Sequence, residues 1–296
     1  MQVMMAESAG FCYGVKRAVD MARETAKKCR HSVMLGSIIH NANVVSELEA
    51  LGMRKVDSWD QVRPGETVVI RSHGERKEVF ERLEAMGAAC VNATCPNVLR
   101  IQQLVAQAQE EGRTPLIIGE MHHPEVLGAA SWSERSVILP GPRELENWLN
   151  EEPSRRNMPL TATAQTTCVQ GIWESSKEIL KKQCTNAKIF DTICNATHRR
   201  QTEAAELAAQ VDVMVVVGDR KSANTKHLAE ICREKCGRVV QIERAGELSS
   251  ELFEGCLVAG LTAGASTPAG IIKEVYTTMS EEIKNMESNE ESFEEL

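Results

Sequence analysis

Three cysteines in this 296-residue chain share an unusual setting. Cys12 lies in GFCYGVKRAV between Gly10 and Gly14, Cys95 in ATCPNVLRIQ ahead of Pro96, and Cys194 in DTICNATHRRQTEAA. Each falls shortly before a helical pattern, and Pro96 suits a first helical position. Free backbone N–H groups and the positive end of a helix dipole favour a thiolate there. The separations, 83 and 99 residues, are about one strand–helix–strand lobe each. Soft thiolates brought from three lobes to one centre select zinc, Cu(I) or an iron–sulfur cluster. The spacing is neither the C-x-x-C of a zinc ribbon nor a ferredoxin run. On the residues alone, three unrelated and partly buried cysteines remain the plain alternative. Cys29, Cys90, Cys168, Cys184, Cys232, Cys236 and Cys256 read as core residues. Cys232 and Cys236, four apart on a helix, make half a metal site with no visible partner pair.

Histidines recur in equivalent places. His40 in SIIHNANVV, His73 in IRSHGE and His123 in GEMHHPEV each follow a β-like run, so each should sit at a strand's carboxyl end. Three imidazoles so placed mark a polar pocket, since imidazole donates readily to phosphate oxygens. His122 should point away from its neighbour, and His31, His198 and His227 read as surface or helix residues. Glu125, in HHPEV, is a candidate proton donor or relay, or else a solvated turn carboxylate. Two hydroxyl-rich turns look like anion cradles. One holds Ser222 and Asn224 in VVVGDRKSANTKHL; the other holds Ser266 in GLTAGASTPAGII. Thr166 and Thr167, in TAQTTCV, add a further hydroxyl pair. Ordinary helix capping is the plain alternative for each. Neither a Walker motif nor G-x-G-x-x-G is present, which excludes a P-loop or Rossmann nucleotide site.

The elements that must carry these residues alternate. Val- and Ile-rich runs at 67–71, 115–118, 211–217 and 256–260 read as strands, with weaker ones near 2–6, 33–36, 137–139, 160–163 and 239–242. Amphipathic helices fit 15–28, 41–51, 75–86, 97–111, 171–183, 197–209, 223–236 and 268–286. This rhythm implies an α/β protein built of βαβ units with mainly parallel sheets, in which sites gather beyond the strands' carboxyl ends. Residues 151–159 are the most loop-like interior stretch. Sequence repeats are not obvious, but the order strand, polar turn, helix recurs through roughly three thirds of the chain.

Composition bounds the function. The hydrophobic fraction of 42% and charged fraction of 26% are those of a soluble globular protein. No apolar run approaches the roughly 20 residues that cross a bilayer, and no secretory signal is visible, so a cytoplasmic location is expected. A reducing compartment argues against reading ten cysteines as disulfides. The net charge of −8 is uneven: residues 281–296 hold seven Glu against Lys284, leaving −2 for the rest. We read that tail as a solvated end. The near-neutral body lacks the basic footprint of a nucleic-acid binder.

Taken in order, GFCYGVKRAV, HN at 40–41, SHG at 72–74, ATCP at 93–96, HPEV at 123–126, QTT at 165–167, IC at 193–194 and GASTP at 264–268 resemble the 4-hydroxy-3-methylbut-2-enyl diphosphate reductase (LytB) family from residue 1 to about 280. The resemblance implies three similar α/β lobes around a central iron–sulfur cluster. The lobes are 14–96, 97–193 and 194–280, with 1–13 joining the third and 281–296 as an acidic tail. It implies that Cys12, Cys95 and Cys194 hold a [4Fe–4S] cluster with one open iron position, which takes the substrate hydroxyl. His40, His73, His123, Ser222, Asn224 and Ser266 match diphosphate-binding positions. Glu125 matches the proton-delivering carboxylate, acting with His123. Thr166 matches the hydroxyl that orders the substrate alcohol, with Thr167 beside it. The family usually has a serine where this chain has Ala223; a backbone N–H can still donate there, so weaker or rearranged diphosphate contacts are expected.

The implied reaction is a two-electron reductive dehydroxylation of (E)-4-hydroxy-3-methylbut-2-enyl diphosphate to isopentenyl and dimethylallyl diphosphate, the last step of the non-mevalonate isoprenoid pathway. No nicotinamide or flavin motif is visible, so electrons should come from a separate ferredoxin or flavodoxin. Neither nucleic acid nor membrane is expected as a partner, and the RNA-binding module appended in some relatives is expected to be absent. Two other readings stay open on the residues. A non-catalytic iron–sulfur carrier or sensor shares the cysteines but leaves the histidines and hydroxyls unexplained. A zinc-dependent hydrolase of a phosphorylated substrate would use Glu125 as base.

Overall fold

The structure, a computed structural model, describes residues 2–294, with side chains described for 2–281. The expected solvated tail therefore lies, past residue 281, outside the described side chains. The chain opens with β1 (Gln2–Met5) and α1 (Tyr13–Lys28). Next come β2 (Ser32–Leu35), α2 (Ala42–Ala50), β3 (Arg54–Val56), β4 (Thr67–Ile70), α3 (Lys77–Ala85) and β5 (Ala89–Asn92). The middle comprises α4 (Pro96–Glu110), β6 (Thr114–Ile118), α5 (Pro124–Ala130), β7 (Val137–Leu139), α6 (Pro142–Glu151), β8 (Leu160–Ala164), α7 (Gln170–Gln183) and β9 (Ala187–Ile189). The last part holds α8 (Asn195–Ala208), β10 (Val213–Val217), α9 (Ala223–Arg233), β11 (Val239–Ile242), β12 (Val258–Ala263) and α10 (Ala269–Glu294). No helix of the described residues is long and apolar enough to cross a membrane.

Three four-stranded parallel sheets result, ordered β3-β2-β4-β5, β7-β6-β8-β9 and β1-β12-β10-β11. Read from the opposite edge, the third is β11-β10-β12-β1, so all three repeat one pattern. The first strand of each set lies inside, the second pairs on its outer side, and the third and fourth extend the other way. In the third sheet the fourth place is taken by the N-terminal strand β1, in register Gln2↔Val258 to Met5↔Leu261. By compactness the chain forms two units. One is Tyr13–Cys194, with the first two sheets; the other is Met1–Cys12 with Asn195–Leu296, around the third.

The central strands are buried on both faces because helices cover both. TPLII, LTATA and VMVVV are buried throughout. Leu116, Ile118, Leu145, Leu149 and Trp173 form one core of the larger unit; the Trp173 indole donates to Asp191 at 2.7 Å. Val33, Leu35, Val68, Ile70 and Leu83 form another. In the smaller unit, Val213, Val215, Leu261 and Phe253 pack on one face of the sheet, and Met214, Val216, Leu228 and Ala204 on the other.

The expected strands and helices all form, with three kinds of departure. Three short strands, β3, β5 and β9, and two helices, α5 and α6, were not anticipated. The apolar run at 37–39 is not a strand: Ile38 and Ile39 are buried within the loop after β2. Among the cysteines expected in the core, Cys168, Cys232, Cys236 and Cys256 are buried, but Cys29 and Cys184 are half-buried and Cys90 is exposed.

Candidate active site

The repeated sheet order sorts the chemistry by position. Open α/β sheets place ligands where neighbouring strands send their chains in opposite directions, here between the first and third strand of each set. The loops after those strands carry every candidate donor. His40 follows β2 and His73 follows β4. His123 and Glu125 follow β6, and Thr166 and Thr167 follow β8. Ser222, Ala223 and Asn224 follow β10, and Ser266 follows β12. The loops after the fourth strands, β1, β5 and β9, carry Cys12, Cys95 and Cys194. Each cysteine stands one residue ahead of a helix, α1, α4 and α8 respectively.

In the larger unit the three imidazoles converge. Ring centroids lie 4.6 Å apart for His40 and His73, 5.5 Å for His73 and His123, and 6.3 Å for His40 and His123. Their ligating nitrogens all fall within 4.8 Å of one another. His123 caps α5, accepting the Glu125 N–H on Nδ1 at 3.2 Å. Nδ1 is thus the unprotonated nitrogen, and Nε2 carries the proton of the neutral ring. The ring of His73 is half-buried, but its Nδ1 is sealed from solvent with no partner. Burial, then the neighbouring His40, His123 and Arg71, hold its pKa well below the ordinary 6.5. Such a trio suits a cation when the nitrogens accept and an oxyanion when they donate. His122 is exposed, as expected of a bystander.

Gly74, in SHG, has φ +76°; a Cβ there would meet Gln102 Nε2 at 2.7 Å and Thr94 Cγ2 at 3.1 Å. Only glycine fits this turn behind His73.

Glu125 is 2% exposed. Thr166 donates its backbone N–H to Oε1 at 2.6 Å, and its hydroxyl meets Oε2 at 2.7 Å. Burial raises the Glu125 pKa to about 7 against the lowering effect of those two hydrogen bonds, with nearby Glu120 adding a little. The carboxyl therefore holds and releases a proton near neutrality, which is what a general acid requires. Gln165 keeps the turn in place: its Oε1 accepts from Glu120 N and its Nε2 donates to Thr167 Oγ1, both at 2.9 Å.

The two cysteines of this unit meet the same helix end. Cys95 is the N-cap residue of α4, with no side-chain capping bond. A Cβ on Gly14 would stand 2.5 Å from Cys95 Sγ, which explains a glycine two residues after Cys12. Asn97, in the first turn of α4, donates to Cys194 Sγ at 3.0 Å, and Cys194 N bonds Thr166 O. None of the ten cysteines forms a disulfide. Burial pushes the thiols of Cys168 and Cys232 up to about 12, so neither makes a ready thiolate. Cys12, Cys95 and Cys194 are half-exposed at helix starts. As soft sulfur donors, cysteines suit an iron–sulfur cluster.

In the smaller unit Ser222 caps α9, accepting from Thr225 N at 3.4 Å. Capping and anion binding are compatible, because the hydroxyl still has a proton to donate and the N–H groups of Ala223 and Asn224 have no acceptor within the helix. Asn224, 5% exposed, leaves Oδ1 and Nδ2 unpartnered, and Ser266, 6% exposed, leaves Oγ unpartnered. Buried donors left open in this way are rare unless a ligand completes them. A Cβ on Gly264 would collide with Thr225 Oγ1, so the turn closes tightly on the first turn of α9.

Asn97, Gln165, Gly74, Arg200 and Glu203 escaped the residue-by-residue reading. Gln165 and Gly74 lay inside the quoted QTT and SHG stretches and were traceable there. Asn97, Arg200 and Glu203 had only their neighbourhood to Cys95 and Cys194.

Compared with known proteins, residues 3–280 match the family model described as LytB protein. A 4-hydroxy-3-methylbut-2-enyl diphosphate reductase of Caldanaerobacter subterraneus subsp. tengcongensis is 38% identical over 300 residues, covering 99% of this chain and 100% of that one. A solved structure of (E)-4-hydroxy-3-methyl-but-2-enyl diphosphate reductase, the terminal enzyme of the non-mevalonate pathway, aligns with TM-score 0.68 and 35% identity over 95% of this chain and 100% of that one. That of the E-1-hydroxy-2-methyl-but-2-enyl-4-diphosphate reductase from Plasmodium falciparum aligns with TM-score 0.87 and 24% identity over 93% of this chain and 87% of that one, and shows the shared fold. With its family motifs on equivalent loops of three like sheets and a full-length match, this chain belongs to the LytB family.

Proposed function

We propose that this chain reduces (E)-4-hydroxy-3-methylbut-2-enyl diphosphate to isopentenyl and dimethylallyl diphosphate, consuming two electrons and two protons and releasing water. The observation that carries the reading is the Glu125–Thr166 pair, a buried acid with a pKa of about 7 on loops equivalent to those that bear His40, His73 and His123. Cys12, Cys95 and Cys194 would hold a [4Fe–4S] cluster. When bound, that group supplies the electrons and a Lewis-acidic iron.

The chain's own residues do the rest. His40, His73, His123, Ser222, Asn224, Ser266 and the backbone N–H of Ala223 bind the diphosphate. Nε2–H of His123 is a fixed donor, because Nδ1 is engaged by Glu125 N. Anion binding favours protonation of His73, whose pKa is held down in its absence. Thr166, with Thr167 beside it, orders the substrate hydroxyl. A proton leaves the Glu125 carboxyl, passes Thr166 Oγ1 and reaches the departing oxygen, which leaves as water. Protonation of the allylic carbons at either end yields the two products.

Electrons come from a separate ferredoxin or flavodoxin, in a cytoplasmic, reducing compartment that suits ten cysteines joined by no disulfide. We divide the chain into lobes at 14–96, 97–193 and 194–280 with 1–13, following the three sheets.

The three imidazoles also admit a divalent metal, which keeps a zinc hydrolase as the second reading. Anaerobic purification with iron, sulfide and zinc counted, then assay with the hydroxylated diphosphate and a chemical reductant, separates the two. About four irons and four sulfides per chain with reductive turnover is expected; zinc without sulfide would overturn the proposal.

A further inference from the structure

Outside the reacting groups, helix α8 grips the loop that ends in Cys12. Arg200, 3% exposed, donates Nε and Nη2 to Ser8 O at 3.1 and 2.6 Å, and Nη2 to Gly10 O at 2.7 Å. One turn on, Glu203 accepts Glu7 N at 2.5 Å and Ser8 N at 2.9 Å on its two oxygens, and also the Ser8 hydroxyl. Arg199 pairs with Glu7 at 2.9 Å. Gly10 presents its carbonyl from φ +102°, and a Cβ there would press on Ile272 Cδ1 at 3.0 Å. The far end of the loop is tied by Cys12 N to Ala265 O at 3.3 Å. Two backbone N–H groups and two carbonyls of one short segment are thus satisfied by two side chains of one helix, the helix that begins immediately after Cys194.

We propose that Arg200 and Glu203 are positioning residues that set the Ser8–Gly10 backbone and thereby hold the Cys12 sulfur ready as a cluster ligand. This rests on the reading of Cys12 as a ligand. The physical reason is preorganisation: a loop held by four backbone groups loses little freedom when its thiolate binds, and a freed loop would let the ligand dissociate. Removing Arg200 also strands the buried Gly10 carbonyl, and removing Glu203 takes the side-chain acceptor from the Glu7 and Ser8 amides.

The test uses the reconstituted holoprotein under anaerobic conditions. Arg200→Lys and Glu203→Gln are compared with wild type, with Cys12→Ser, and with Asp212→Ala. Asp212 caps Leu257 N and Val258 N at 2.8 and 2.9 Å in the same unit but does not touch the loop, so its variant controls for general loss of stability. The rate of iron loss to a ferrous chelator and the amide exchange of residues 6–12 are read together, at equal fractions folded. We expect iron loss at least tenfold faster, and exchange at least tenfold faster, in the Arg200 and Glu203 variants, with Asp212→Ala near wild type on both. Equal behaviour of the three variants, or unchanged exchange at 6–12, would overturn the inference. Should Arg200→Lys not fold, Glu203→Gln carries the comparison. Full iron retention in Cys12→Ser would instead overturn the ligand reading itself, so the two failures are distinct.

Discussion

Thr166 occupies both oxygens of the Glu125 carboxyl, one through its backbone N–H and the other through its hydroxyl. Those bonds alone would lower the acid's pKa; burial overrides them and raises it to about 7. The hydroxyl bond works in either direction, donating to the carboxylate or accepting from the acid. A proton can therefore pass along it without either heavy atom moving.

Glu125→Gln keeps the shape and removes the transferable proton. We expect unchanged iron content and a turnover lower by about 10²-fold or more, the usual worth of a positioned acid. Steady-state rates with a chemical reductant, at matched iron content, check this. Rates within threefold of wild type would remove Glu125 from the proton path.

The same carboxyl sets two pH effects. Turnover should fall as pH rises through about 7, since only the protonated acid delivers, and this limb should be missing from the residual activity of Glu125→Gln. Stability follows the linkage rule. The raised Glu125 pKa contributes stability that is full below its ordinary 4.5 and lost as pH rises through about 7. The lowered pKa of His73 acts oppositely, with stability present above 6.5 and lost as pH falls. Urea melts should show wild type losing about 3 kcal/mol relative to Glu125→Gln between pH 4.5 and 7, at about 1.4 kcal/mol per unit of pKa shift.

Gly14→Ala places a Cβ 2.5 Å from Cys95 Sγ. The sulfur must shift, because helix backbone lies behind the glycine. We expect at least a twofold loss of bound iron and sulfide after reconstitution, with the far-ultraviolet circular dichroism unchanged. Full cluster content would show that the sulfur has room the geometry does not indicate.

Asn224→Ala and Ser266→Ala each remove a buried, open donor. Hydrogen bonds to charged groups are worth roughly 1.5–3 kcal/mol, so KM for the diphosphate substrate should rise by about 10- to 100-fold with a smaller change in kcat. Ala223→Ser adds a hydroxyl where the family usually has one and should lower KM. Competition by inorganic pyrophosphate gives an independent reading of the same affinities.

The fold was legible where burial is two-sided. VMVVV and TPLII could be nothing but central strands, since all five residues of each are covered. The edge strands Arg54–Val56, Ala89–Asn92 and Ala187–Ile189 have three or four residues and mixed exposure; their pairing comes from the neighbouring strand, not from their own pattern. Helix Pro124–Ala130 is seven residues long and begins inside a motif noticed for its chemistry. Helix Pro142–Glu151 did carry a signal, with Pro142 at its first position and Leu145 and Leu149 four apart on its buried side. The candidate donors were legible for a different reason: they follow strands, and strand ends in parallel sheets collect ligands. Arg200 and Glu203 were not, because their partners are backbone groups some 190 residues away in sequence, and a carbonyl or amide leaves no mark in the residue type.

Among the described residues strand β1 pairs with β12 alone, so residues 2–5 wait for a partner some 250 residues further along the chain. At the usual elongation rate of about 5–20 residues per second, some 250 residues pass between them, a delay on the order of tens of seconds. The Tyr13–Cys194 unit has all its strands before β12 is made, but the strand that leads into Cys12 has no sheet to join until β12 emerges. Removing β12 would leave β1 without that neighbour and loosen the loop that ends in Cys12, even with every cysteine intact.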